Sequence, residues 1–319
     1  MLRYLRNRIL SAICTLFILS IFIFAIIHLT PGDPARIMLG ADASQEEVDK
    51  LTESLGLNDP LIRQYVDWVF DALHGDLGTS YSRNGTVVSE IGSSMGPTVT
   101  LAIWAQVLTI LIAIPLGAFA AKKKGKVSDS LVIAFSLIGI SVPSFLLSML
   151  LAILFGVQLQ WLPVAGYKTM EEAGFIGHLR YIILPTISLA MMQAAMLTRM
   201  TRASMIDVIN QDFIKAAKAK GLGGRAILYR HALKNALIPI LTTIGQTFAT
   251  LLSGAAVVET VFNIPGIGQL IVNSVSKRDY PMIQGIVLVI SLIYIGINLV
   301  IDVLYGIVDP RIRITGKAK

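Results

Sequence analysis

Six continuous apolar runs, at residues 9–29, 98–121, 130–157, 181–197, 236–258 and 283–308, divide this 319-residue chain. A bilayer core about 30 Å thick takes about 20 helical residues at about 1.5 Å each, so every run meets or approaches spanning length. The runs are continuously apolar rather than alternating, which predicts helices and not membrane strands. The fourth is the shortest and contains Pro185 and Gln193, so its limits are the least defined. The expected fold is an all-α integral membrane protein with six transmembrane helices.

Composition agrees with this patterning. Hydrophobic residues make up 54% of the chain, charged residues 15%, and the mean hydropathy is +0.70, values outside the range of a soluble chain of this length. Arg3, Arg6 and Arg8 ahead of the first run resemble a signal-peptide start. That run is too long for a secretory core and HLTPGDPAR follows it instead of a small-residue cleavage site, so it reads as a retained span. The single Cys14 lies inside that span and forms no internal disulfide. The predicted organisation is a tail and first helix over 1–29, an extracytoplasmic helical segment over 30–97, a five-helix core over 98–308, and a cytoplasmic tail over 309–319.

Basic residues set the predicted orientation. With the N-terminus inside, the inner segments 1–8, 122–129, 198–235 and 309–319 hold 19 of the 27 Lys and Arg residues. The two shorter outer loops carry only Lys168, Arg180, Lys277 and Arg278. Both termini are therefore expected in the cytoplasm, and the net charge of +7 is a topological signature rather than a sign of nucleic-acid binding.

The outer segment carries helix signals of its own. Ser44 and Glu47 have capping-box spacing, Gly56 suits a helix end, and Asp59 with Pro60 starts a second helix. Leu61, Ile62, Tyr65, Val66, Val69, Phe70 and Leu73 then recur at helical spacing before Gly75. Its acidic excess suits either a solvated cap over the outer mouth or a docking face for an external partner.

No catalytic or metal constellation emerges. His28, His74, His178 and His231 lie far apart, and GLGGR at 221–225 lacks the Lys and Ser/Thr of a phosphate-binding loop. Any ATP-driven work must then come from another subunit. Glu259 and Asp302 sit toward the ends of spans, where they serve as interfacial charges or interhelical contacts, or else as an ion relay. Gln106, Gln193, Thr242, Thr243, Gln246 and Thr247 are uncharged polar residues within spans, suited either to lining a path or to interhelical hydrogen bonding.

A polar, basic interruption at 199–235 separates the fourth and fifth runs. Gln211 or Asp212 starts a helix whose body reads FIKAAKAK, and Gly221 ends it. A second helical stretch over 225–237 follows the glycine corner, so the pair is expected to project as a compact knob with basic edges. Such a knob suits contact with a soluble partner, or else stands as an exposed helical hairpin without one.

At these residues the chain resembles the ABC importer permeases. Lys215, Ala216, Ala217 and Gly221 are similar to their Glu-Ala-Ala loop, in which Gly follows after three residues. Lys215 replaces the leading Glu, and of the later Ile-x-Leu-Pro pattern only Leu233 agrees, both departures typical of the dipeptide, oligopeptide and nickel branch. PGDPA at 31–35, LGLNDPL at 55–61, GDLGTS at 75–80, GAAVVETVFNIPGIGQL at 254–270, RDYP at 278–281, NLVIDVLY and DPRIR extend the resemblance over the chain. It points to the first-permease (B-type) subunit.

The resemblance implies a type I ABC importer fold and a non-catalytic role. This permease would stand beside a homologous second permease, two cytoplasmic ATPases that bind ATP and Mg²⁺, and an extracytoplasmic substrate-binding protein. The chain itself would hold no cofactor. Asp212, Phe213, Lys215, Ala216, Ala217, Gly221 and Leu222 would form the contact with an ATPase, and the setting would be a bacterial or archaeal inner membrane. Di- or oligopeptides are the leading cargo, with nickel, a metal chelate or glutathione as alternatives. An ion-coupled secondary transporter and a membrane-embedded scaffold or enzyme are the other classes to set against it.

Overall fold

The computed structural model of the chain describes residues 2–29, 34–39, 43–54, 56–83 and 85–308. The tail 309–319 with its DPRIR motif, residues 31–33 of PGDPA, Leu55 of LGLNDPL and the side chain of Asp302 lie outside that description.

Helices account for nearly all the described residues, and an isolated antiparallel bridge pairs Thr79 with Thr86. In chain order, α1 is Leu2–Leu29, α2 Pro34–Leu39, α3 Gln45–Ser54 and α4 Leu61–Leu73. Then come α5 Val87–Lys122, α6 Val127–Ser141 and α7 Ser144–Leu151, the last running into a π-helical segment Ala152–Gln158. Helix α8 is Met170–Ile209 and α9 is Asp212–Ala219. A short α10 at Gly224–Ala226 passes through a second π-helical segment, Ile227–Leu233, into α11 at Lys234–Gly254. Helices α12 Ala256–Val261, α13 Ile267–Ser276 and α14 Tyr280–Val308 complete the chain. Among the described residues five helices are long and apolar enough to cross a bilayer, and Val127–Ser141 with Ser144–Gln158, bent by 94°, passes that test only as a pair, making up to six crossings.

The helices of the first and second spans begin before their apolar runs, at Leu2 and Val87, and three further spans differ from their sequence-based limits for identifiable reasons. The third run bends at Val142 and Pro143, because a proline removes a helical N–H and biases its predecessor toward extended backbone. The fourth extends past both limits of its apolar run. Thr169 and Glu172 close a capping box at its start, Gly174 interrupts it at φ +65°, and the C-terminal end continues to Ile209. The fifth ends at Gly254, so Glu259 falls on the separate α12. There its buried carboxylate accepts a hydrogen bond from Thr98 Oγ1 at 2.7 Å, an interhelical polar contact.

The chain divides into two units. The first comprises Met1–Gly96 and Gly266–Gly296. In it, Ser44 and Glu47 form the expected capping box, with the Ser44 N–H donating to Glu47 Oε2 at 2.9 Å and the Glu47 N–H to Ser44 Oγ at 3.4 Å. Tyr65 and Trp68 of α4 meet Phe24 of α1 edge-on or tilted, and Ser20 and Tyr65 share a hydrogen bond of 2.8 Å. Val87, Ile91, Ile267, Leu270, Met282 and Ile286 form the core between α5, α13 and α14.

Asp279, from the RDYP motif, fastens GDLGTS and the residues after it to the start of α14. Its carboxylate accepts from both hydroxyls of Ser80 and Ser82 and from the N–H groups of Tyr81 and Ser82, at 3.1 and 3.0 Å for the latter two. Burial pushes this carboxyl up, but the four donors outweigh it and hold it below the ordinary carboxylate value. A depressed folded-state pKa contributes stability above the unfolded value of about 3.9, and that stability is lost as pH falls through the lower folded value. Asp279→Asn is expected to lower thermal stability at pH 7 by about 1–3 kcal/mol. The gap between variant and wild type should close below pH ~4; a gap that stays constant with pH would remove the ionised carboxylate from this role.

The second unit comprises Pro97–Pro265 and Ile297–Lys319. Helix α8 is its central element and packs against α6, α7 and α11. Small residues permit the close approaches. A Cβ added at Gly117 of α5 would lie 2.8 Å from the Thr198 carbonyl oxygen and 2.6 Å from the Thr201 Cβ of α8, so only glycine fits there.

Candidate coupling surface and translocation path

The interruption at 199–235 is mostly not a loop. Residues up to Ile209 continue α8, burying Thr201, Ser204, Met205 and Val208, and residues from Gly224 onward run without a break toward α11. The expected second knob helix over 225–237 is therefore the start of the fifth span. Only α9 and its flanking turns stand between the two long helices.

Local chemistry builds α9. Asp212 lies in its first turn and Lys218 in its last, both of the sign that the helix dipole favours. Lys215 Nζ pairs with Asp212 Oδ1 at 2.8 Å. At the C-terminus the Gly221 N–H donates to the Lys218 carbonyl at 3.0 Å and the Leu222 N–H to the Ala217 carbonyl at 3.3 Å, with Gly221 at φ +80°. This is a Schellman turn, which requires the left-handed conformation glycine adopts at low cost.

One face of α9 holds it down and the other is open. Ile214 is fully buried in a cluster with Met205, Val208, Ile227, Leu228 and Ala232, against which Leu222 also packs. Ala217 is 8% exposed and faces inward too. Phe213 is 41% exposed, and Asp212, Lys215, Ala216 and Gly221 are exposed beside it. The seven sequence-selected residues thus divide into an inward pair, Ala217 and Leu222, and an outward surface formed by the rest.

The polar span residues divide similarly. Thr247 Oγ1 donates to Gln106 Oε1 at 3.1 Å, joining α11 to α5, and both side chains are buried. Thr242 and Thr243 donate to the Ile238 and Pro239 carbonyls of their own helix, each at 3.0 Å. Gln193 is buried on α8, whereas Gln246 is exposed and shares a cavity wall with Thr243.

A bidentate ion pair in this unit has no counterpart in the sequence motifs. Arg202 of α8 grips Asp129 of α6 with both guanidinium arms, Nε to Oδ1 at 2.6 Å and Nη2 to Oδ2 at 2.8 Å. The Gly125 N–H adds a third bond to Asp129 at 3.0 Å, and the Asp129 side chain is only 4% exposed. Both residues belong to segments counted only for their charge, and 73 positions separate them. No local pattern links them.

These features coincide with broad similarity to known permeases. The chain is 40% identical over 310 residues to the probable peptide ABC transporter permease protein y4tP of Sinorhizobium fredii, covering 97% of this chain and 99% of the relative. It is 40% identical over 313 residues to the glutathione transport system permease protein GsiC of Escherichia coli K12, covering 98% and 99%. The fold is similar to that of the inward-facing MetNI methionine ABC transporter at a TM-score of 0.55 and 18% identity, over 69% of this chain and 96% of that one. Residues 113–314 match the binding-protein-dependent transport system inner membrane component, and residues 1–102 match the N-terminal membrane component of such systems. Through both matches, this chain belongs to the binding-protein-dependent ABC transporter permeases, of the dipeptide and oligopeptide type.

Proposed function

We propose that this permease imports short peptides, pairing with a homologous second permease to form the path. As a permease it is a non-catalytic, multi-pass membrane subunit of a larger ABC complex, and ATP hydrolysis resides in separate subunits. In this reading those subunits are two cytoplasmic ATPases that bind ATP and Mg²⁺, and an extracytoplasmic binding protein delivers the cargo. Both termini lie in the cytoplasm, as does the interruption at 199–235. The outward residues Asp212, Phe213, Lys215, Ala216 and Gly221 enter a groove on an ATPase, while Ile214, Ala217 and Leu222 bind α9 to the spans. A helix fixed by a buried face and a closed C-terminal turn suits the transmission of rigid-body motion.

The observation that carries the substrate class is the pair of relatives named for a peptide and for glutathione, itself a tripeptide derivative, both matched almost end to end. The test is uptake of a labelled dipeptide by proteoliposomes holding the whole complex. ATP-dependent, vanadate-sensitive uptake that ionophores leave intact is the expected result. Uptake without ATP that collapses with an ionophore would overturn the mechanism, and a binding protein thermally stabilised by nickel or a chelate but not by peptides would overturn the cargo.

A further inference from the structure

A cavity of about 530 Å³ opens between α6, α8 and α11, within the size range of small-molecule sites. Two guanidinium groups, those of Arg199 and Arg202, reach its wall from positions one turn apart on α8. They differ in availability. Arg202 is committed to Asp129, whereas Arg199 is exposed and has no ion-pair partner among the described residues. Facing it from α11, the exposed Gln246 side-chain amide likewise has no partner among the described residues. No acidic side chain lines the cavity except through the Arg202 pair, so one positive charge is left over.

We propose that this cavity receives the carboxylate-bearing end of the transported solute, with Arg199 as counter-charge and the Gln246 amide as a second donor. The inference rests on the peptide-import reading and deepens it. A planar guanidinium matches a carboxylate bidentately, and the amide N–H₂ adds a donor from the opposite helix. Ile133, Met196 and Met200 form the apolar part of the wall. Unbranched, polarizable methionine adapts to differing shapes, which suits a path that must accept varied side chains attached to a constant terminal carboxylate.

The test labels Ala203→Cys with a maleimide in the complete complex in nanodiscs, with Cys14→Ser as background. Ala203 is exposed on the same wall, and Met200→Cys serves as a second reporter. Alanylphenylalanine is the probe, and its C-terminal amide the control. The free acid should slow labelling about threefold at twice its dissociation constant, by simple occupancy. The amide should not, Arg199→Met should abolish the protection, and Arg199→Lys should keep part of it. Equal protection by acid and amide, protection that survives Arg199→Met, or none at any peptide concentration would overturn the proposal. So would protection that follows anionic lipid content instead of peptide, which would make the site one for a lipid headgroup. Dipeptide uptake measured in parallel separates the two readings: uptake without protection overturns this inference alone, and protection without uptake overturns the import reading.

Discussion

Gly221→Glu is expected to abolish substrate-stimulated ATP hydrolysis in the reconstituted complex while the permease remains inserted. Three effects act in one direction. Gly221 has φ +80°, where a side chain costs about 1–2 kcal/mol, so the Schellman turn that ends α9 is strained. A carboxylate there also opposes the negative end of the helix dipole. Finally, no atom lies within 4 Å of where the new Cβ would be, so the side chain extends from the exposed surface into the space a partner would occupy. The open surroundings also explain why insertion should survive. Gly221→Asn, which tolerates the left-handed conformation and carries no charge, should retain most of the stimulation, and Gly221→Ala should fall between. Full stimulation in the Glu variant, measured with loaded binding protein, would remove α9 from the coupling contact.

Arg202→Met should have the largest effect on stability. It leaves the Asp129 carboxylate, whose side chain is 4% exposed, without its bidentate partner, and only the Gly125 N–H remains to it. Breaking a buried pair from one side costs about 3–5 kcal/mol, because the remaining charge stays desolvated. Asp129→Leu combined with Arg202→Met removes that charge and should recover much of the loss. Denaturation of the complex in nanodiscs would read these variants and Asp129→Leu alone, and a double-variant loss equal to the sum of the two single losses would show that the pair contributes nothing beyond its separate side chains. The pair ties the start of α6 to the stretch of α8 that leads into α9. Uptake should therefore fall more than the amount of assembled complex.

Short-range signals were the most legible in the sequence. Ser44 with Glu47 formed the capping box that their spacing predicts, and Gly221 ended α9 as its position before a break in the helical pattern requires. Both depend on backbone groups within a few residues, which any solvent leaves adjacent. The span limits were less legible, because hydropathy registers lipid contact and not helix continuity. The C-terminal end of α8 is polar in composition yet helical, since Thr201, Ser204 and Met205 are buried by the chain itself.

The apolar runs, the uneven placement of Lys and Arg and the linear motifs by themselves determined that this protein is a helical, multi-pass permease. Each reflects a constraint met residue by residue: burial of the backbone in lipid, side-chain charge at an interface, or a turn that demands glycine. Only the tertiary structure decided that α9 stands alone between two long helices, and that its Ile214 and Ala217 face inward. It also brought Asp129 to Arg202, Ser80 to Asp279, and Arg199 to the same cavity as Gln246. Those pairings join residues far apart in the chain whose approach depends on how neighbouring helices pack, and no local pattern encodes that packing.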